Sequence, residues 1–220
     1  MRRALLCVVL MLGSFLFFSC EDDGYVYPSV QLEFLTAQTG GDGRIQSVVT
    51  DEGVQLPLEK DHTRSQFDAN SAVRIVANYE LLPGEGTQKE VRIYTLLKAV
   101  AADPQPADKF TGGVKTDPTD VQSIWMGCDY LNLVAAVQAQ SGTHRFGFIE
   151  ESVEIGADGL PIVKLLLYHD AGGDVEAYTK RGYLSVSLKN KYPQGAHLTF
   201  RVNTYDTLKT YHFDYKPSDN

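Results

Sequence analysis

The 220-residue chain has little cysteine and less tryptophan, with three of the first and one of the second. Cys7 lies inside an N-terminal apolar stretch and Cys20 directly after it, so Cys128 stands alone in the body of the chain and has no disulfide partner there. Stability must come from buried apolar surface, which about 200 residues can supply. The longest uncharged run at the start, Ala4 to Phe18, falls short of the roughly 20 apolar residues needed to cross a bilayer as a helix. Basic residues are also scarce. Without Arg2 and Arg3 the chain carries 18 Lys+Arg against 28 Asp+Glu, a net charge near −10, and no dense basic patch. Such a body repels phosphate backbones, which argues against a nucleic-acid partner. No phosphate-cradling glycine loop ending in Lys-Ser/Thr, no helical zinc-protease histidine pair and no Gly-x-Ser-x-Gly elbow occurs. His62, His144, His169, His197 and His212 are scattered, none at metal-ligand spacing from another. The expectation is a chain with no cofactor, no metal and no catalytic role.

What is present begins with Met1-Arg2-Arg3, the apolar run, and then Ser19-Cys20-Glu21-Asp22-Asp23. A basic start, an apolar middle and a small residue before a cysteine describe a signal peptide over residues 1–19. The pattern resembles the bacterial lipobox, which implies a diacylglycerol on Cys20 and attachment to a membrane through that lipid. Phe17 and Phe18 are bulkier than usual there, a looseness seen in lipoproteins of the Bacteroidetes group. The acidic run after Cys20 is similar to the export signal that sends such lipoproteins to the outer face of the outer membrane. The expected location is therefore the cell surface, with the periplasmic face as the alternative and residues 20–27 as an acidic tether.

From Tyr27 onward apolar residues recur with period two, and β-branched and aromatic residues abound, so the expected class is all-β. Val30-Leu32-Phe34, Val73-Ile75-Ala77-Tyr79 and Val91-Ile93 each read as one half-buried strand, separated by glycine-rich turns. The stretch Ala101 to Asp120 holds Pro104, Pro106, Gly112, Gly113 and Pro118 with little periodicity and reads as a boundary. Residues 21–108 carry 7 basic and 15 acidic side chains, against 11 and 13 beyond, so the acidity belongs mainly to the first half. After the boundary come longer alternations, among them Leu131-Leu133-Ala135-Val137, Leu184-Val186-Leu188 and Phe200-Val202. Strands with one apolar face bury it best as two stacked sheets. The expected organisation is a small barrel of four or five strands over 28–108 and an antiparallel β-sandwich over 109–217.

Several segments together resemble a known family: Tyr27-Pro28-Ser29-Val30, Ser123-Ile124-Trp125-Met126-Gly127 with Tyr130-Leu131-Asn132-Leu133, Leu167-Tyr168-His169-Asp170 with Gly172-Gly173-Asp174, Arg181-Gly182-Tyr183-Leu184-Ser185, and Phe200-Arg201-Val202-Asn203. The set is similar to the NigD-like lipoproteins of Bacteroidetes and spans almost the whole mature chain. The resemblance implies an N-terminal OB-like barrel over 28–108 followed by a C-terminal β-sandwich, and a bacteriocin-associated, immunity-like role. It transfers no catalytic residues.

Four residues stand out as candidate ligand-binding positions. Trp125 and Tyr130 offer ring faces to a sugar or a protein, in a half that also holds eight of the twelve tyrosines. His169 and Asp174 flank a tight glycine loop, where an imidazole and a carboxylate could do acid–base work. Against this, polar residues at a strand end and glycines at positive φ are ordinary loop chemistry. Glu150-Glu151 cannot flank one glycosidic bond if they are strand neighbours, and Cys128 reads as a small core residue. The expected function is non-catalytic binding of an unknown protein or glycan partner. The alternatives are a glycan-binding accessory lipoprotein and a hydrolase centred on the His169 loop.

Overall fold

The computed structural model describes residues 29–218. The expected leader, Cys20 and the tether lie outside them. The described chain is all-β, with one three-residue 3-10 turn, Ala107–Lys109.

Five strands form the first unit: β1 (Val30–Thr39), β2 (Ile45–Val49), β3 (Gln55–Asp61), β4 (Ala72–Pro83) and β5 (Lys89–Lys98). They close in the order β1-β2-β3-β5-β4, with β3 and β5 parallel and the other pairs antiparallel. The alternation predicts a small barrel of four or five strands, and this closed five-stranded one is the OB-like barrel the family resemblance implies. Leu35, Ala37, Ile75, Ala77, Tyr79, Val91 and Ile93 point inward and are buried, because period two along each strand sends them to one face. β1 is long enough to serve two neighbours. It pairs with β4 from Val30 to Gln38 but with β2 only from Thr36 to Thr39, so Val30–Leu35 has one edge without a strand partner.

The second unit stacks two sheets. One is β14-β13-β11-β10-β7 and the other β6-β12-β9-β8, built from β6 (Val100–Ala102), β7 (Gln105–Pro106), β8 (Asp120–Gly127), β9 (Tyr130–Ala139), β10 (Arg145–Ile155), β11 (Pro161–Asp170), β12 (Tyr178–Ser187), β13 (Ala196–Asn203) and β14 (Leu208–Tyr215). Leu131, Leu133, Phe148, Leu165, Leu184, Leu198 and Phe200 fill the space between the sheets. Burial along β13 alternates strictly, as a half-buried strand requires.

The border between the units falls earlier than the sequence reading placed it. β6 pairs in parallel with β12 and β7 in parallel with β10, so residues 100–106 belong to the sandwich, one strand to each sheet. Three- and two-residue strands are too short to show a period. Cys128 also departs from expectation. It sits half-buried in the turn between β8 and β9 at a φ of 51°, because a two-residue antiparallel connection needs left-handed backbone there.

Candidate functional site

The barrel's outer wall packs on the outer face of the β6-β12-β9-β8 sheet. The apolar part of this seam is Phe34, Val76 and Ala99 against Trp125, Val134 and Tyr183. Phe34 meets Trp125 edge to face, with ring centroids 5.3 Å apart, and Tyr183 similarly at 5.8 Å.

The polar part is centred on Asp51. The β2–β3 turn closes through Gly53 N–H to the Thr50 carbonyl at 3.0 Å, and Gly53 supplies the positive φ. That turn carries the Asp51 carboxylate into the sandwich, where it accepts Trp125 Nε1–H at 2.8 Å and Asn132 Nδ2–H at 3.0 Å and forms an ion pair with Arg74. Arg74 also donates to Thr36 Oγ1 at 3.1 Å and to Asn132 Oδ1 at 3.0 Å, and lies over the Tyr130 ring at 4.5 Å. Ser185 completes the set by donating to Asn132 Oδ1 at 2.7 Å. A guanidinium 3% exposed is costly to desolvate, and here it is repaid by a carboxylate and neutral acceptors from both units. Gly127 makes this approach possible, since a Cβ there would overlap the Asp51 carboxylate.

Two clefts open on either side of this ion pair. The first, of about 590 Å³, has Asp51, Phe34, Trp125 and Tyr183 on its walls together with Leu32, Glu33, Glu52 and Arg181. The second, of about 540 Å³, is lined by Arg74, Tyr130, Cys128 and Lys189 among others. The four candidates of the sequence reading therefore fall in three places. Trp125 lines the first cleft, Tyr130 the second, and His169 and Asp174 a separate cavity of about 230 Å³.

His169 and Asp174 are joined through a residue the sequence reading left unassigned. His169 Nδ1–H donates to the Asp117 carbonyl at 2.9 Å, so its Nε2 is the acceptor for His144 Nδ1–H at 2.8 Å. His144 Nε2 faces Asp174 Oδ2 at 3.4 Å. Both nitrogens of His169 are thus occupied and the side chain is 1% exposed. Burial pushes His169 below the usual imidazole range, opposed by the Asp117 carbonyl and helped by His144. Asp174 accepts backbone N–H groups from Gln140, Ser141 and Val175. Burial raises its pKa, but the Gln140, Gly142 and Ser141 amides, with His144, outweigh it and hold the carboxyl well below the usual range. The arrangement fastens the 171–177 loop to the end of β9. The register Phe146↔His169 across β10 and β11 is the signal that could have placed His144 there. Glu150 and Glu151 go to different partners, Lys191 and Arg201, at a register shift in the β10–β11 pairing between Glu150 and Ser152. Among the described residues no three His, Cys, Asp or Glu side chains converge on a metal position.

A model of the NigD-like C-terminal β-sandwich domain matches residues 102–215. A crystal structure described as a NigD-like immunity protein from Bacteroides caccae is 40% identical, covers 88% of this chain and all of its own, and superposes with a TM-score of 0.75. The chain belongs to the NigD-like family. Two further structures share the fold. A protein described as toxin-related from Parabacteroides distasonis is 17% identical over 85% of this chain and 93% of its own, with a TM-score of 0.66. A protein described as a lipoprotein from Bacteroides fragilis is 13% identical over 86% of this chain and all of its own, at 0.57. Comparison with curated proteins gives no match. In this NigD-like chain the family model begins at β6, in agreement with where strand pairing places the sandwich.

Proposed function

We propose that this NigD-like protein is a non-catalytic, immunity-like envelope lipoprotein that works by binding a partner in the first junction cleft. The observation that carries the reading is the cleft itself, a cavity of about 590 Å³ with mixed apolar and charged walls, held open between two units by a satisfied buried network. The printed description of the Bacteroides caccae relative supports the immunity-like part. The non-catalytic part is supported by His169, whose two nitrogens are spent on the fold and leave no base for a substrate. Membrane attachment through Cys20 and exposure at the cell surface are supported by the leader and the acidic run that follows it.

The test is deletion of the gene and challenge with bacteriocins produced by competing strains, followed by complementation. Wild-type protein should restore resistance and Trp125→Ala should not, while unchanged killing on deletion would end the immunity-like reading. In the same cells Cys20→Ala should move the protein out of the membrane fraction, and protease applied to intact cells should remove the wild-type protein.

A further inference from the structure

The first cleft is touched by Leu32, Glu33 and Phe34 on one side and by Gln122, Ser123, Trp125 and Met126 on the other. Consecutive strand residues point to opposite faces, so a cavity that meets them in succession lies against the edge of a strand, not its face. Both strands have that edge open. β1 lacks a second strand partner from Val30 to Leu35, and β8 is the last strand of its sheet, pairing only with β9. Of the four edge strands in the sandwich, β6 and β7 are only three and two residues long, β8 and β14 have eight each, and of the two long ones only β8 borders this cleft. An unpaired edge of that length is a template for another strand.

The side chains around the edges set the chemistry of the added strand. Leu32, which is 53% exposed, and the Phe34–Trp125–Tyr183 cluster supply apolar contact. Three carboxylates, Glu33, Asp51 and Glu52, face one guanidinium, Arg181, and Arg181 is bonded to Gln122. Asp51 is spent on Arg74 and Glu33 accepts the Tyr79 hydroxyl at 2.8 Å, while Glu52 is exposed on the rim.

We infer that the cleft takes an extended polypeptide segment of alternating apolar and cationic side chains, which adds as a strand to the open edges of β1 and β8. The inference rests on the reading that this cleft is the partner surface and names what occupies it. Main-chain pairing gives the affinity of such a complex and the flanking side chains its selectivity. The chain's own residues 21–29, ahead of β1, are a poor occupant by charge, because they carry three carboxylates and no cation.

The experiment uses the full mature chain and three synthetic nine-residue peptides, one alternating valine and lysine, one alternating valine and glutamate, and the first N-methylated throughout. Trp125 is the only tryptophan, so its fluorescence reports the cleft directly. The lysine peptide should shift that fluorescence saturably and slow amide exchange within Leu32–Leu35 and Ser123–Met126. Glu52→Lys should weaken it roughly fivefold. The glutamate and N-methylated peptides should do neither. No shift at millimolar lysine peptide, equal binding of the N-methylated form, or protection at other strands would overturn the inference. Binding seen only after removal of residues 21–27, or a dimer that protects the same amides without peptide, would overturn it too, by giving the cleft to the chain itself. If the peptide fails while gene deletion still sensitises cells, the immunity-like reading stands with another surface. If it binds while deletion changes nothing, the cleft stands alone.

Discussion

Asp51, from a barrel turn, accepts the indole N–H of Trp125, from the sandwich, at 2.8 Å. The same carboxylate neutralises Arg74, so one short side chain couples the shape of the first cleft to a buried guanidinium at the junction.

Removing that carboxylate strands a buried charge. Asp51→Ala should cost about 3–5 kcal/mol in urea unfolding. The double substitution Asp51→Leu with Arg74→Met should recover much of the loss, since an apolar pair removes both desolvation penalties. A double variant as unstable as Asp51→Ala would show that the charges are not what holds the junction.

Gly127 can be tested without touching the network chemically. A methyl at this position overlaps the Asp51 carboxylate, so Gly127→Ala should lose about 1–3 kcal/mol and red-shift Trp125 fluorescence as water reaches the indole. Gly182→Ala is the control. Its added Cβ finds nothing nearer than 3.5 Å, and the spectrum should not move.

Gly142 plays the corresponding part at the histidine cavity, where a Cβ would come within 2.6 Å of the Asp174 side chain. Gly142→Ala should speed amide exchange at Gln140, Ser141 and Val175, the groups that bond to Asp174, and leave Trp125 emission unchanged.

The pH dependence has a definite sign. Burial depresses His169 in the folded protein, so the unfolded chain binds its proton more tightly. The contribution is fully present above the unfolded value near 6.5 and is lost as pH falls below it, by at most about 1.4 kcal/mol per pH unit. His197, between Asp158 and Asp214, is shifted upward and acts in the opposite sense, but it is exposed and screened. Denaturation midpoints should therefore drop between pH 7.5 and 5, and His169→Gln should flatten that slope. A slope unchanged in the variant would assign the loss to other groups.

The strands were legible where one face meets a core. Val73, Ile75, Ala77 and Tyr79 alternate in sequence and line the barrel, and Leu131, Leu133 and Ala135 do the same in the sandwich. Period two says which residues share a face but not what covers the opposite one, which is why Arg74 reads as a solvent residue and is in fact buried against Asn132 and Ser185. Asp51 looks like any turn acid, because its partners are 23 to 81 positions away. Trp125 was visible as an unusual residue, but its cleft was not, since the cleft is lined by residues of both the barrel and the sandwich. His144 and His169 are brought together by hairpin register, which composition does not encode.

The segment joining the two units ends as a pair of parallel strands, one in each sheet, with Lys191 clamping the Pro104 carbonyl at 2.9 Å. A recombinant fragment cut at residue 109 would therefore remove a border strand from both layers at once and bare the flanks of β10 and β12 to intermolecular stacking. Material suited to crystallisation or calorimetry of the C-terminal half alone has to start ahead of Val100, and such a fragment should stay monomeric where the shorter one precipitates.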